Sequence, residues 1–297
     1  MRILITGGTG YIGQALCPRL LSAGHELHVL SRRPDSVEAR CGNGVRGFSG
    51  IDEIRGESFD AVINLAGESI AGGLWTRGRK QKLRDSRIAL TESLCRTLAA
   101  SPSPPTVFVS GSAVGYYGDQ GDVELDESAA PIPDFAQTLC ADWERAADAA
   151  ADWGARVVKL RIGLVMGPDG GFLAPLKLPF RLGLGTRLGS GRQYMSWISR
   201  EDMVRVIEFA LAQDIDGALN ACAPNPVDNA AFTRALAGAL NRPVFPIPAP
   251  AFALKLALGE MSQLLLGGQR VVPARLTAAG FDFTHPELES ALREAVG

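Results

Sequence analysis

The sequence holds no uninterrupted apolar run approaching the roughly 20 residues that a membrane-spanning helix needs. Its most hydrophobic late segment, "AFALKLALGEMSQLLLGG", is broken by Lys255, Glu260 and Gln263. A buried or interface helix pair accounts for it, and a membrane is not expected as a partner. Charge of one sign is lacking too: 30 Lys and Arg against 32 Asp and Glu leave a net charge of −2. That balance lacks the basic footprint of a nucleic-acid binder. Histidine is scarce, at three residues, and the five cysteines (Cys17, Cys41, Cys95, Cys140 and Cys222) show no metal-knuckle or redox-pair spacing. No metal site is expected, and the thiols are read as reduced. Because Met1 leads within one residue into an apparent core strand, no signal peptide fits and a cytoplasmic location is expected. Small polar molecules remain as the expected ligands.

What is present is an alternation. Residues 2–6 (RILIT) form a short apolar run, and "YIGQALCPRLLSAG" repeats apolar residues at helical spacing until Gly24 stops it. Further strands are predicted at "HELHVLS", "DAVINLAG" (60–67), "TVFVSGS" and "ARVVKLRIG". A long helix is predicted through "LRDSRIALTESLCRTLAA" and another from about Asp134 to Trp153. Buried strands joined by helical crossovers imply an α/β fold, a doubly wound parallel sheet of the Rossmann type. After about Pro168 the texture changes to Gly- and Pro-rich segments between short helices, one of them capped by Asp228. The division expected is a nucleotide-binding domain over 1–167, with 194–222 returning to it, and a smaller C-terminal α+β substrate lobe over 168–193 and 223–297. Near the end, "THPELESALREAVG" predicts a last helix with Pro286 in its first position and Glu287 and Glu289 at its positive end.

The stretch "LITGGTGYIG" places glycines at 7, 10 and 13 after a strand and before a helix. In that context Gly7 permits the tight turn, Gly10 lets the backbone approach a pyrophosphate and Gly13 lets helix and strand pack closely. At the end of the second strand an NAD-selective protein usually carries an acidic residue, whereas this chain has "LSRRPD". Ser31, Arg32 and Arg33 point instead to a 2′-phosphate, because a guanidinium binds phosphate bidentately. NADP is therefore the cofactor expected, two solvated surface arginines being the bland reading.

With "GGTGYIG", "NLAG" and "VSGSAVGYYG", the chain resembles the extended short-chain dehydrogenase/reductases. More narrowly, "LAGESIAGGLWTRGRKQKLRDSR", "SWISREDMV" and "RVVPARLTAAGFDFTHPELESAL" look like the atypical NAD(P)-dependent epimerase family. The resemblance spans essentially the whole chain and implies a Rossmann domain with that family's small C-terminal lobe. It implies cofactor contacts at Gly7, Thr9, Gly10, Tyr11, Ile12 and Gly13, at Arg32, and at Leu65, Ala66 and Gly67. It also places Ser112 where relatives hydrogen-bond a substrate carbonyl or hydroxyl.

The wider superfamily carries a Tyr-x-x-x-Lys pair one helix later, the lysine tuning the tyrosine for proton relay. Aligned on Trp143-Glu144, this chain has Ala136 and Cys140 at those places, and neither substitutes for what is missing. Tyr116 and Tyr117, close after Ser112 in a glycine-flanked loop, are the tyrosines within reach, and Tyr116 is the candidate acid beside Ser112. In the basic segment "RGRKQKLRDSR", Arg87 is favoured as a cofactor-side cation, with Lys80 the other cation the resemblance allows for an anionic ligand. Trp197 is a candidate for the substrate cavity. Ser199 is expected to cap a helix, with Asp202 at its third position.

The reading is an NADP-binding oxidoreductase or epimerase-like enzyme acting on a small polar metabolite, with a homodimer left open. The alternative is a non-catalytic NADP-binding sensor or scaffold.

Overall fold

The computed structural model describes residues 1–297. In chain order, the larger lobe contains β1 (Arg2–Thr6), α1 (Gly13–Ser22), β2 (Glu26–Leu30), α2 (Val37–Cys41), β3 (Arg46–Phe48), β4 (Ala61–Asn64), α3 (Arg77–Arg84), α4 (Leu90–Ala99), β5 (Val107–Ala113), β6 (Glu124–Leu125), α5 (Phe135–Asp148) and β7 (Arg156–Ile162). There follow β8 (Leu164–Met166), α6 (Ala174–Arg181), β9 (Tyr194–Met195), β10 (Trp197–Ser199), α7 (Arg200–Ala212), β11 (Gly217–Ala221), β12 (Val227–Asp228) and α8 (Asn229–Ala239). The chain closes with α9 (Ala251–Leu258), α10 (Gln263–Leu266), β13 (Arg270–Val271), α11 (Ala274–Ala278) and α12 (Leu288–Val296).

Seven strands form one parallel sheet in the order β11-β7-β5-β4-β1-β2-β3. From β1 the chain winds outward first through β2 and β3, then in the other direction from β4. The crevice at the carboxyl ends of β1 and β4 is thus the topological switch point, where open α/β sheets take ligands. The pleat sorts the strands' side chains between two cores. Ile3, Ile5, Val29, Ile63 and Val109 face one side with α1 and α7, and Leu4, Val62, Phe108 and Val157 face the other with α4 and α5. A third core, centred on Trp197, Phe232, Leu236, Leu288 and Leu292, holds the smaller lobe together.

Several expectations need adjusting. β3 was not foreseen: it is three residues long, and Arg46 and Gly47 give it no apolar run. The long helix after Arg77 is interrupted by a π-turn at Asp85–Ala89 between α3 and α4. The last helix starts at Leu288 with Glu287 as its N-cap, so Pro286 lies outside it and not in its first position. Asp228 and Ser199 do cap α8 and α7, accepting from the amides of Ala231 and Asp202 at 2.6 and 2.9 Å. Asp202, wholly buried, also takes the amides of Thr284 and His285 at 2.8 and 2.9 Å, tying the C-terminal segment to α7. All five cysteines are free and buried, and no group of residues is arranged to hold a metal.

Candidate functional site

The glycine loop follows β1 directly. A Cβ on Gly13 would lie 2.3 Å from the carbonyl oxygen of Gly8, so this glycine sets the approach of α1 to the loop. A Cβ on Gly10 would meet only the Gly7 oxygen at 3.0 Å, and Gly10 is exposed. Gly10 therefore leaves bare backbone facing the crevice, while Gly7, at φ +75°, makes the turn. No side chain caps α1 at Ile12, and no acidic residue stands in its first turn. The positive end of that helix and its free amides are available to an anion. The Thr9 carbonyl accepts from Gln14 at 2.8 Å, which fixes the loop's outer edge. Tyr11 turns toward the smaller lobe: its hydroxyl donates to the Pro168 carbonyl at 3.2 Å, its ring carries the Arg200 guanidinium, and Gly170 and Gly171 pack against it.

Leu65, Ala66 and Gly67 lie at the end of β4, on the far side of the loop. Thr6 Oγ1 accepts from the Ala66 amide at 3.1 Å and donates to Asn64 at 2.7 Å. Thr6, Asn64 and Ser110 are register partners across β1, β4 and β5, and Asn64 reaches Thr91 and Ser110 at 2.8 and 3.3 Å. This buried polar row fixes the floor of the crevice. At the end of β2, Ser31 Oγ accepts from the Arg33 amide at 3.1 Å, shaping the turn that presents Arg32. Arg32 itself is 91% exposed, and its one partner is Glu68, at 3.0 Å. Glu68 also pairs with Arg79 at 3.3 Å, and hydrogen bonds from Arg32 and then Arg79 hold its carboxyl below its ordinary pKa.

Arg87 projects from the π-turn over Gly67, where a Cβ would stand 2.9 Å from its guanidinium carbon. Its Nη2 donates to the Glu68 carbonyl at 2.8 Å, and its guanidinium lies over the Trp143 ring at 5.3 Å. Burial lowers its pKa. π-turns often mark functional positions, and this one brings a cation without a carboxylate partner to the crevice. Lys80, by contrast, is paired with Glu260 at 2.6 Å.

Ser112, Arg161 and Asn220 are register neighbours across β5, β7 and β11. Glu144 of α5 closes over them. Ser112 Oγ donates to Glu144 Oε1 at 2.7 Å, and Arg161 binds both carboxylate oxygens at 2.9 and 3.1 Å. Burial works against the Arg161 cation, but Glu144 outweighs it and raises the pKa. Arg161 also donates to the Tyr117 hydroxyl at 2.9 Å, and that hydroxyl donates to Asn220 at 2.6 Å; burial pushes the Tyr117 phenol up to about 12. Tyr117 is thus a wholly buried structural residue. Tyr116 is half-buried with its ring 3.4 Å from the Arg161 guanidinium carbon, and its hydroxyl has no partner in the protein. Ser112 is 3% exposed and turns inward. Trp197, expected in the substrate cavity, is fully buried in the smaller lobe's core with its indole N–H on the Asn225 carbonyl at 3.1 Å.

Sequence reasoning missed Glu68, Glu144 and Arg161. The signal for Arg161 was a charged residue inside an otherwise buried strand, where a counter-ion has to exist. Ala136 and Cys140 do sit beside the Ser112 loop, within van der Waals reach of a Cβ built on Gly115. Burial pushes the Cys140 thiol up to about 12, so it brings no charge there.

Comparisons with known proteins give the chain's family and fold. Residues 3–222 match the model of the NAD dependent epimerase/dehydratase family, and residues 249–295 match a domain of unknown function, DUF1731. An epimerase family protein of Mycobacterium bovis is 43% identical over 293 residues, covering 98% of this chain and 96% of its own. The human epimerase family protein SDR39U1 is 38% identical over the full length of both chains. The crystal structure of that human protein (isoform 2) with NADPH superposes with a TM-score of 0.89, at 37% identity, covering 99% of this chain and 98% of its own. A UDP-glucose 4-epimerase from Thermotoga maritima, at 18% identity and a TM-score of 0.81, shares the fold.

Proposed function

The chain belongs to the NAD dependent epimerase/dehydratase family, and from that premise we propose that it is an NADP-dependent oxidoreductase or epimerase-like enzyme acting on a small polar metabolite. The observation that carries the cofactor is the bare backbone at Gly10 beside the uncapped start of α1, a cradle that a side chain would fill. The human relative crystallised with NADPH supports the same choice. Gly7 to Gly13 would hold the diphosphate, Arg32 the 2′-phosphate, and Leu65 to Gly67 with Arg87 the opposite wall. When bound, the nicotinamide supplies or accepts a hydride.

The chain's own contribution is to orient the substrate and handle its proton. Ser112 donates its hydroxyl hydrogen bond to Glu144 and, at 3% exposed, would meet a substrate hydroxyl only with its remaining lone pairs. Tyr116 keeps a free hydroxyl for the same substrate. Arg161 holds both oxygens of Glu144 in place and thereby fixes the direction of the Ser112 hydroxyl.

The test is turnover of NADPH with a panel of carbonyl compounds, and of sugar nucleotides with bound cofactor. Activity that falls at least about 100-fold in both Ser112→Ala and Tyr116→Phe, with cofactor affinity kept, is the expected result. Tight NADPH binding with no turnover of any panel member would replace this reading with that of a sensor or scaffold.

A further inference from the structure

Large apolar side chains that stand in solvent are concentrated on one part of the smaller lobe. Leu178 and Leu182, four residues apart on and just past α6, are 66% and 65% exposed, and Leu184 follows at 56%. Phe252 and Leu256, again four apart, are 74% and 87% exposed on α9, a helix with no buried residue. Residues at that spacing share a helix face. The chain segments joining them are pinned together: the Phe245 amide donates to Gly185 at 2.8 Å, the Ala249 amide to Arg187 at 3.0 Å, and Thr186 Oγ1 to the carbonyl of Ile247 at 2.7 Å. Ile247 is itself 64% exposed. Two apolar helix stripes are therefore joined by a paired, equally apolar connection. Soluble surfaces rarely keep such a patch without a use for it.

Its charge is as one-sided as its polarity. Residues 174–191 and 229–259 contain six cations (Lys177, Arg181, Arg187, Arg234, Arg242 and Lys255) and no carboxylate, in a chain whose net charge is −2. None of the six forms an ion pair within the chain; Lys177 bonds the carbonyl of Ala295 instead. Arg181 adjoins Leu182, and Lys255 adjoins Leu256, so the cations border the stripes.

We propose that this face docks the protein on an anionic lipid surface, the leucines and Phe252 entering beneath the headgroups while the cations meet their phosphates. The charge pattern argues against a second copy of this chain as occupant, because a two-fold contact would set the cations that border the stripes against their own copies. Side chains exposed by more than half stand proud of the surface; they suit insertion into a soft interface better than envelopment of one small ligand. No helix is long and apolar enough to cross a membrane, and docking of this kind needs none. It departs from the composition-based expectation of no membrane partner, which concerned spanning segments.

The test is flotation of the whole protein with vesicles of phosphatidylcholine alone or with a quarter phosphatidylglycerol, at low and high salt. Recovery with the anionic vesicles at low salt, weakened by salt and absent with neutral ones, is expected. The double variant Leu182→Glu/Leu256→Glu and the pair Arg181→Glu/Lys255→Glu each lower it about tenfold or more. Thermal midpoint and NADPH affinity stay as in the parent, since none of these side chains is buried or placed against the cofactor. Failure to float with anionic vesicles overturns the proposal. So does flotation indifferent to both variants, or a dimer in light scattering that Leu182→Glu/Leu256→Glu dissociates.

Discussion

Arg32 and Glu68 meet across the glycine loop, Nη1 to Oε1 at 3.0 Å, although the strands that lead to them, β2 and β4, are separated in the sheet by β1. On the proposed reading, an adenosine 2′-phosphate would have to reach Arg32 past this pair. Glu68 is thus a built-in competitor for that guanidinium, steadied in its ionised form by Arg79 as well. Glu68→Gln is expected to tighten NADPH binding about two- to fivefold, the scale of an exposed ion pair. NADH, with nothing to offer Arg32, should change little. Titration of both coenzymes by nicotinamide fluorescence decides it, and equal gains for the two would show that Glu68 acts elsewhere.

Arg32→Ala should do the reverse. Loss of a charge-assisted phosphate contact is worth about 1.5–3 kcal/mol, or roughly 10- to 100-fold in NADPH affinity. The NADH affinity should hold. A parent protein that prefers NADH would refute the role given to Arg32 before any variant is made.

Two glycines in the same loop separate folding from binding. Gly13→Ala drives a methyl onto the Gly8 carbonyl and should lower stability by about 1–3 kcal/mol. Gly10→Ala meets only the Gly7 oxygen, at 3.0 Å against the 2.3 Å of Gly13→Ala, so it should destabilise less than Gly13→Ala while losing NADPH affinity on the order of tenfold or more. Thermal unfolding with and without NADPH reads both.

The Glu144–Arg161 pair offers a stability test that activity does not confound. Both residues are buried, 6% and 4% exposed. Glu144→Ala leaves an arginine without its counter-ion in the core, at a cost of about 3–5 kcal/mol. Urea unfolding measures it. A loss under about 1 kcal/mol would mean that water or Tyr117 satisfies Arg161 unaided.

Much of the fold was legible because the strands carry the apolar runs and the glycine loop needs residues without side chains. The helix caps Ser199 and Asp228 were readable for the same local reason: the bond closes within three residues. What was not legible is made at long range. Arg32 and Glu68 are 36 residues apart and Glu144 and Arg161 17 apart, and each pair exists only because the sheet order brings its strands or helix together. β3 escaped because Arg46 and Gly47 break the pattern that a longer strand would show. The ion pair of Lys80 was hidden by the same long range: its partner, Glu260, lies 180 residues on.

The π-turn at Asp85–Ala89 acts as a phase shifter between two helices that face different demands. Upstream, Leu83 is set for the cluster around Trp75; downstream, Leu94 and Leu98 are set for the core beneath the sheet. Winding this same sequence as a uniform α-helix would rotate one half about 100° against the other. Either Arg87 would swing off Gly67 or the two leucines would leave the core, so the one wide turn is what lets a single run of chain serve both.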